Sequence, residues 1–216
     1  MKPFFLYVLS LSLPGVAGPS WSKTGFAFEF LTGSALNLRS PLCISQAGYA
    51  DIRLSADYRT RPFQFPIFWD IRASRRCGKG SWEIELIHHK LFLENPTPEI
   101  QSFSVSHGLN ILTINHAQAV RGFTGRAGAG VVVAHPETTV RGRTHPQNGG
   151  LFHLGYLPSG LSILLGAGRR FDVWRGWFAV VEAKCTAARA RIPVEQGHAR
   201  LTNLALHGEI GFGYGF

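Results

Sequence analysis

An all-β fold, specifically an eight-stranded antiparallel transmembrane β-barrel, is what this sequence predicts, and three observations predict it. Stretches of about ten residues alternate apolar with polar side chains, clusters of Gly, Pro, Asn and charge separate them, and the separations are by turns short and long. Composition narrows the class further. Of 216 residues 45% are hydrophobic and only 16% charged, against about 25% charged in typical soluble domains, which argues against a disordered chain and against an ordinary cytosolic enzyme. A mean hydropathy of +0.05, with 25 Gly and 16 Phe, argues equally against a bundle of membrane helices.

The chain begins with Lys2, the apolar run Phe4 to Val16 and the small residues up to Gly18, which read as a signal peptide over residues 1–18. That run is too short for the roughly 20 residues of a spanning helix. Residues 19–216 then form the barrel. In Thr24 to Leu36, Phe26, Phe28 and Phe30 share one face while Gly25, Ala27 and Glu29 share the other. Ala50 to Ser74 alternates through Ile52, Leu54, Ala56 and Tyr58, then through Phe63, Phe65, Ile67, Trp69 and Ile71, with Pro62 and Pro66 interrupting. It reads as one long bent strand, because two strands here would make the total odd and bacterial barrels of this kind carry an even number.

Six more strands are expected at Ser81 to Leu93, Phe103 to Ala117, Phe123 to Glu137, Ser159 to Phe171, Trp174 to Ala190 and Asn203 to Phe216. Short turns at 75–80, 118–122 and 172–173 alternate with longer connections at 37–49, 94–102, 138–158 and 191–202. The last strand carries Ile210, Phe212, Tyr214 and Phe216 on one face, an aromatic ending through which the barrel assembly machinery is expected to recognise the chain.

Parity also sorts the charges. Glu29, Glu83, Glu85, Arg126, Glu182, Lys184, His207 and Glu209 fall opposite the aromatics. In a barrel of eight strands the interior is just wide enough to be filled by side chains, so these residues are expected to form a packed, paired lumen network around Glu85, Glu182 and Lys184. The alternative, a secreted soluble barrel with a dry interior, would put the same carboxylates in water. The formal charge is +9, and an exported protein this basic meets anionic surfaces, phosphorylated lipid rather than nucleic acid. Cys43, Cys77 and Cys185 lie far apart and form neither a disulfide framework nor a zinc pair.

Chemistry is most legible in the histidines. His88 shares parity with Trp82, Ile84 and Lys90; His107 with Val105 and Leu109; His135 with Val131 and Val133. Adjacent strands lie about 4.8 Å apart, so His88, His107, His135 and Glu137 are expected in one exterior patch at headgroup depth. There the histidines would act as general base or as ligands of a divalent metal ion, and Glu137 as acid or orienter. Lys90, Asn110 and Arg141 would hold an anionic substrate. The plainer alternative is an interfacial girdle without chemistry. A bulge at His88-His89 would turn one of the pair inward. Gly125, Gly128 and Gly130 lie within a strand and suit close strand packing better than phosphate cradling. Ser106 and His107 are neighbours on a strand and should face opposite ways, so no direct bond between them is expected.

The segments Glu83 to Phe92, Ser106-His107-Gly108-Leu109-Asn110 through Asn115, Gly128 through His135-Pro136-Glu137, and Glu182-Ala183-Lys184 together resemble the outer-membrane β-barrel family that includes lipid A oxidases. The resemblance covers about residue 50 to Phe216. It implies an eight-stranded barrel in the bacterial outer membrane with lipid A or lipopolysaccharide as its partner. For the oxidase members it implies oxygen-dependent oxidation of the proximal glucosamine to an aminogluconate unit. Two other functions are in view: a non-catalytic barrel that stabilises the membrane or binds lipopolysaccharide, and a lipid A deacylase, which would need a Ser beside a His on one face.

Overall fold

The computed structural model describes residues 25–147, 149–151 and 153–216; the expected signal peptide lies outside the described residues. All regular structure among them is β, in one thirteen-stranded sheet. The strands are β1 (Phe26–Leu38), β2 (Ser40–Gln46), β3 (Ile52–Ala56), β4 (Tyr58–Arg59), β5 (Trp69–Cys77), β6 (Gly80–Leu93), β7 (Ile100–Val120), β8 (Phe123–Ala134), β9 (Glu137–Val140), β10 (Arg143–Thr144), β11 (Leu157–Trp174), β12 (Trp177–Val194) and β13 (Gly197–Gly215). Every ladder is antiparallel. The ladders run from β1 through β5, β6, β7, β8, β11, β12 and β13, and β13 pairs back onto β1 from Ala27↔Gly215 to Leu38↔Leu204.

The expected strand over Ala50 to Ser74 is divided. β3 pairs with β2, β4 bridges β1 and β6, and β5 pairs with β1 and β6, so all three run along one side of β1–β2 as expected of a single path. Residues 60–68 leave that path, because Pro62 and Pro66 cannot donate to a ladder. Phe63 and Phe65 are 87% and 89% exposed there, whereas Phe68 is fully buried. Three further expectations need correction. The connection at 37–49 is largely strand, because β2 pairs with both β13 and β3. The connection at 191–202 is no long loop, because β12 and β13 stay paired out to Val194↔Gly197. The connection at 138–158 contains a small hairpin, β9–β10. Its turn, Arg141-Gly142, repeats the pairs Arg121-Gly122 and Arg175-Gly176, and all six residues have positive φ. Such two-residue turns match the right-handed twist of a hairpin. That repeated dipeptide is the sequence signal for β10.

The two faces separate as the parities predict. Phe26, Phe28, Ile210 and Phe212 are exposed, with Trp82, Ile84, Ile114, Ile163, Leu165 and Leu206 at similar exposure. Glu182, Lys184 and Glu209 are buried. The buried face is not polar throughout, as a wholly polar lumen would be. Its charged middle lies between an apolar cluster of Ala27, Leu31, Phe178 and Val180 and a larger one that includes Leu42, Ile44, Tyr58, Phe103, Val105 and Ile192. Long strands reach past the exposed apolar zone here, and beyond it their inner faces pack as in a soluble protein.

In the charged middle Arg72 reaches Glu29 at 2.8 Å, Glu182 at 2.8 Å, Glu85 at 3.1 Å and Glu83 at 3.8 Å. Lys184 meets Asp70 and lies 2.5 Å from Glu85, 3.1 Å from Glu182 and 2.9 Å from Glu209. Arg126 pairs with Glu83 and Glu182, and Arg170 with Glu29. Glu85, Glu182 and Lys184 thus lie in one buried ion-pair network, in which Asp70, Arg72 and Arg170 join the residues that parity selects. Because these groups and the two apolar clusters fill the interior, the protein reconstituted in a planar bilayer is expected to pass no steady ionic current. Sustained single-channel steps would refute this filling.

Candidate functional site

Three strand ends bring the candidate residues together. Between β6 and β7 the register reads His89↔Leu109 and then Leu91↔Val105, so Ser106, His107 and Gly108 stand opposite Lys90 alone. This is a bulge. It breaks the alternation on which the parity argument rests, and Ser106 and His107 consequently turn toward the same carboxylate. β9 continues the line of β8 past Pro136 and pairs with β7 from Ile100 to Ser104, which carries Glu137 up against that bulge.

Glu137 is held by several donors. His107 Nδ1 lies 2.6 Å from its Oε1, Ser106 Oγ donates to Oε2 at 2.6 Å and Ser104 Oγ to Oε2 at 3.4 Å. Burial opposes its ionisation, but the Ser106 and His107 hydrogen bonds outweigh burial and hold the carboxyl below the usual range. Ser106 Oγ is also 3.2 Å from His107 Nδ1, a contact that strict alternation forbids.

His135 sits in the connection between β8 and β9, buried, its ring 4.8 Å from that of His107 and 5.0 Å from that of Tyr156. Its Nδ1 is 3.9 Å from Glu137 Oε1 and has no hydrogen-bond partner. Burial, with His107 beside it, pushes its imidazole below the ordinary value, so the ring is neutral at pH 7. One ligand atom from each of His107, His135 and Glu137 lies within 4.8 Å of the others. Two imidazoles and a carboxylate at this separation are a donor set that a divalent transition-metal ion accepts. The partnerless buried Nδ1 of His135 is what such an ion would satisfy.

The remaining expected site residues are placed less uniformly. His88 stacks on Trp69 at 5.1 Å between centroids, and its Nδ1 is 2.8 Å from Asn110 Oδ1, so the pair borders the bulge without joining the triad. Lys90 is drawn away from the patch, since at the bulge its ammonium turns to the carbonyls of Arg61 and Gln64 in the loop of residues 60–68. Arg141 is committed to Glu99 at 2.7 Å, to Gln46 and Ala50, and to the ring of Tyr49. Neither cation is brought to the triad. His89 is the histidine that turns inward, fully buried and 2.9 Å from Asn37 Oδ1.

Gly108 makes the bulge possible. Its φ is +111°, and a Cβ there would run into Asn110 and stand 2.6 Å from His88 Nδ1. Gly108→Ala is therefore expected to cost about 1–3 kcal/mol in urea unfolding of the detergent-solubilised protein. An unchanged midpoint would show that the bulge tolerates a side chain.

No protein-family model matches the chain, and no curated protein matches it. Among solved structures it is similar to Neisserial surface protein A, at 12% identity over 89% of this chain and 98% of that one with a TM-score of 0.42. It is similar also to the outer membrane protein OprG from Pseudomonas aeruginosa, at 12% identity over 88% and 94% with a TM-score of 0.40. The attachment invasion locus protein Ail of Yersinia pestis matches at 10% identity over 85% and 97% with a TM-score of 0.37.

Proposed function

We propose that this protein is an outer-membrane β-barrel that modifies lipid A at the outer leaflet, with His107, His135 and Glu137 as its reactive centre. The barrel reading rests on the circuit of ladders through β1, β5, β6, β7, β8, β11, β12 and β13, with an apolar outward face and a charge-filled inner one. A sheet that leaves a belt of Phe, Ile, Leu and Trp exposed all round needs a hydrocarbon solvent, and only a circuit without edges satisfies its backbone there.

The observation that carries the chemical reading is the cluster itself: two histidines and a glutamate, with His135 four and Glu137 six residues beyond the exposed Val131 on the β8–β9 line, where lipid headgroups would lie. His107 and His135 with Glu137 would hold a divalent metal ion, which would supply the redox chemistry that an oxidase-like reaction requires. The chain's own contribution is positioning. Ser104 and Ser106 fix the Glu137 carboxylate and Tyr156 limits rotation of His135, the kind of support that keeps ligands in one geometry.

One observation favours a second reading, lipid A deacylation: Ser106 does lie within hydrogen-bond reach of His107. In this arrangement, however, Ser106 donates to Glu137, and Ser106 and Glu137 both face Nδ1 of His107. A Ser-His-acid relay needs them on opposite ring nitrogens, so Ser106 is better read as a positioning residue. Mass spectrometry of lipid A from cells with and without the gene separates the alternatives. Oxidation of a sugar aldehyde carbon adds an oxygen, deacylation removes an acyl chain, and an unchanged profile under oxic growth with transition metals supplied would sink both.

A further inference from the structure

A second polar feature lies on the outward face, three ladders from β7 by way of β8, β11 and β12. Arg191 on β12 stands directly opposite Arg200 on β13, Arg200 opposite Cys43 on β2, and Cys43 opposite Arg53 on β3. Arg189 lies one step down β12 on the same face, between Leu161 and Thr202. Asp51 takes Arg53 at 3.1 Å. Arg189, Arg191 and Arg200 are exposed, and among the described residues none of them meets a carboxylate. Arg191 approaches His198 Nδ1 at 3.3 Å and Arg200 the Cys43 sulfur at 3.8 Å, neither of them a counter-charge. Like charges directly opposite across a ladder are destabilising. A row of them calls for an anion from outside the chain.

The surface beside the row has a matching shape. The arginines border a hollow of 520 Å³ that also takes in Pro41, Ser159 and Leu161. A second hollow, of 310 Å³, follows between Ile163, Ala187 and Thr202. Along this line the outward residues of β12 are small, Ala187 then Cys185. They are flanked on β11 by Ile163 and Leu165 and on β13 by Leu204 and Leu206. The result is a furrow between two apolar walls with guanidinium groups at its outer end.

We propose that this face binds one phosphorylated diacyl lipid of the surrounding membrane, its phosphate on Arg191, Arg200 and Arg189 and an acyl chain in the furrow along β12. Guanidinium forks hold a phosphate with paired charge-assisted bonds, and the chain buries apolar area that otherwise meets disordered lipid. The proposal rests on the membrane-barrel reading but not on the histidine site, which lies elsewhere on the circuit.

Native mass spectrometry of the full protein in dodecylmaltoside micelles tests it, with phosphatidic acid, phosphatidylcholine and inorganic phosphate as probes. One phosphatidic acid should be retained in preference to phosphatidylcholine, and inorganic phosphate should not displace it. The double variant Arg191→Gln/Arg200→Gln should bind phosphatidic acid at least about tenfold more weakly. The exposed pair Arg59→Gln/Arg175→Gln, which removes the same charge elsewhere, should bind as the parent does. Equal loss in both double variants would reduce the effect to net charge, and displacement by inorganic phosphate would make the site one for free anion. Either result overturns the proposal. Retained lipid binding in His107→Ala with lipid A modification lost, or the reverse in the arginine variant, separates failure of one site from failure of the other.

Discussion

His107→Ala and Glu137→Gln should each lower lipid A modification by at least about a hundredfold, the usual scale for losing a positioned acid-base group, while the folded protein accumulates normally. The expectation follows from the geometry of one carboxylate. Glu137 gathers Ser104, Ser106 and His107 within 3.4 Å, and the amide of Gln occupies the same volume without the negative charge that orients His107. The measurements are lipid A mass spectra from cells expressing each variant and heat-modifiable migration of the same membranes. A structural role for these residues predicts the opposite pattern, with less folded protein and undiminished modification per folded molecule. Isothermal titration of the parent with zinc or iron(II) adds a readout independent of turnover, in which His135→Ala should weaken binding most because its Nδ1 has no other partner.

The largest effect on stability is expected at Arg72. Its side chain is fully buried with four carboxylates within 3.8 Å. Arg72→Met retains the apolar stem but leaves Glu29, Glu85 and Glu182 without their shared cation. Removing one partner from a buried ionic cluster typically costs about 3–5 kcal/mol, because the remaining charges keep their desolvation penalty. Urea unfolding in lipid vesicles followed by tryptophan fluorescence should show it. The surface pair Arg39–Asp57, at 3.0 Å, supplies the contrast, since Arg39→Met should cost less than about 1 kcal/mol where water screens both charges. Equal losses in the two variants would mean that Arg72 is not the hub of the interior.

Much of the site is legible in the sequence. His107, His135 and Glu137 stand out because the outer ends of two adjacent strands are expected to carry them side by side, and the fold brings these three together, whereas His88, expected with them from a third strand, stays on Trp69 and Asn110. Ser106 is excluded by an argument from alternation that holds only in a regular strand. A signal for the exception is present in Gly108, the one residue of Ser106-His107-Gly108 able to adopt φ near +111° without strain. Lys90 departs from its expected place for the same reason, since it stands opposite that bulge. Arg141 is assigned to substrate by charge and position alone. The sequence carries no sign that Glu99 and Tyr49, some forty and ninety residues earlier, claim it.

The division has a physical basis. A period of two is a local property, so the apolar outward face, the buried Glu182, Lys184 and Glu209, and the strand paths near them can all be read from one dimension of sequence. Local pattern likewise announces a break at Pro62 and Pro66. What alternation does not encode is register, the pairing of residues distant in the chain. Arg72 becomes the centre of the interior only when β1, β5, β6 and β12 bring Glu29, Glu85 and Glu182 to one level. The row of arginines on the outward face, drawn from β12 and β13, likewise exists only because Arg191 and Arg200 are paired across a ladder. Backbone hydrogen bonds set that register, and each ladder inherits its level from the one before it, so a single bulge at residues 106–108 decides which side chains meet around Glu137.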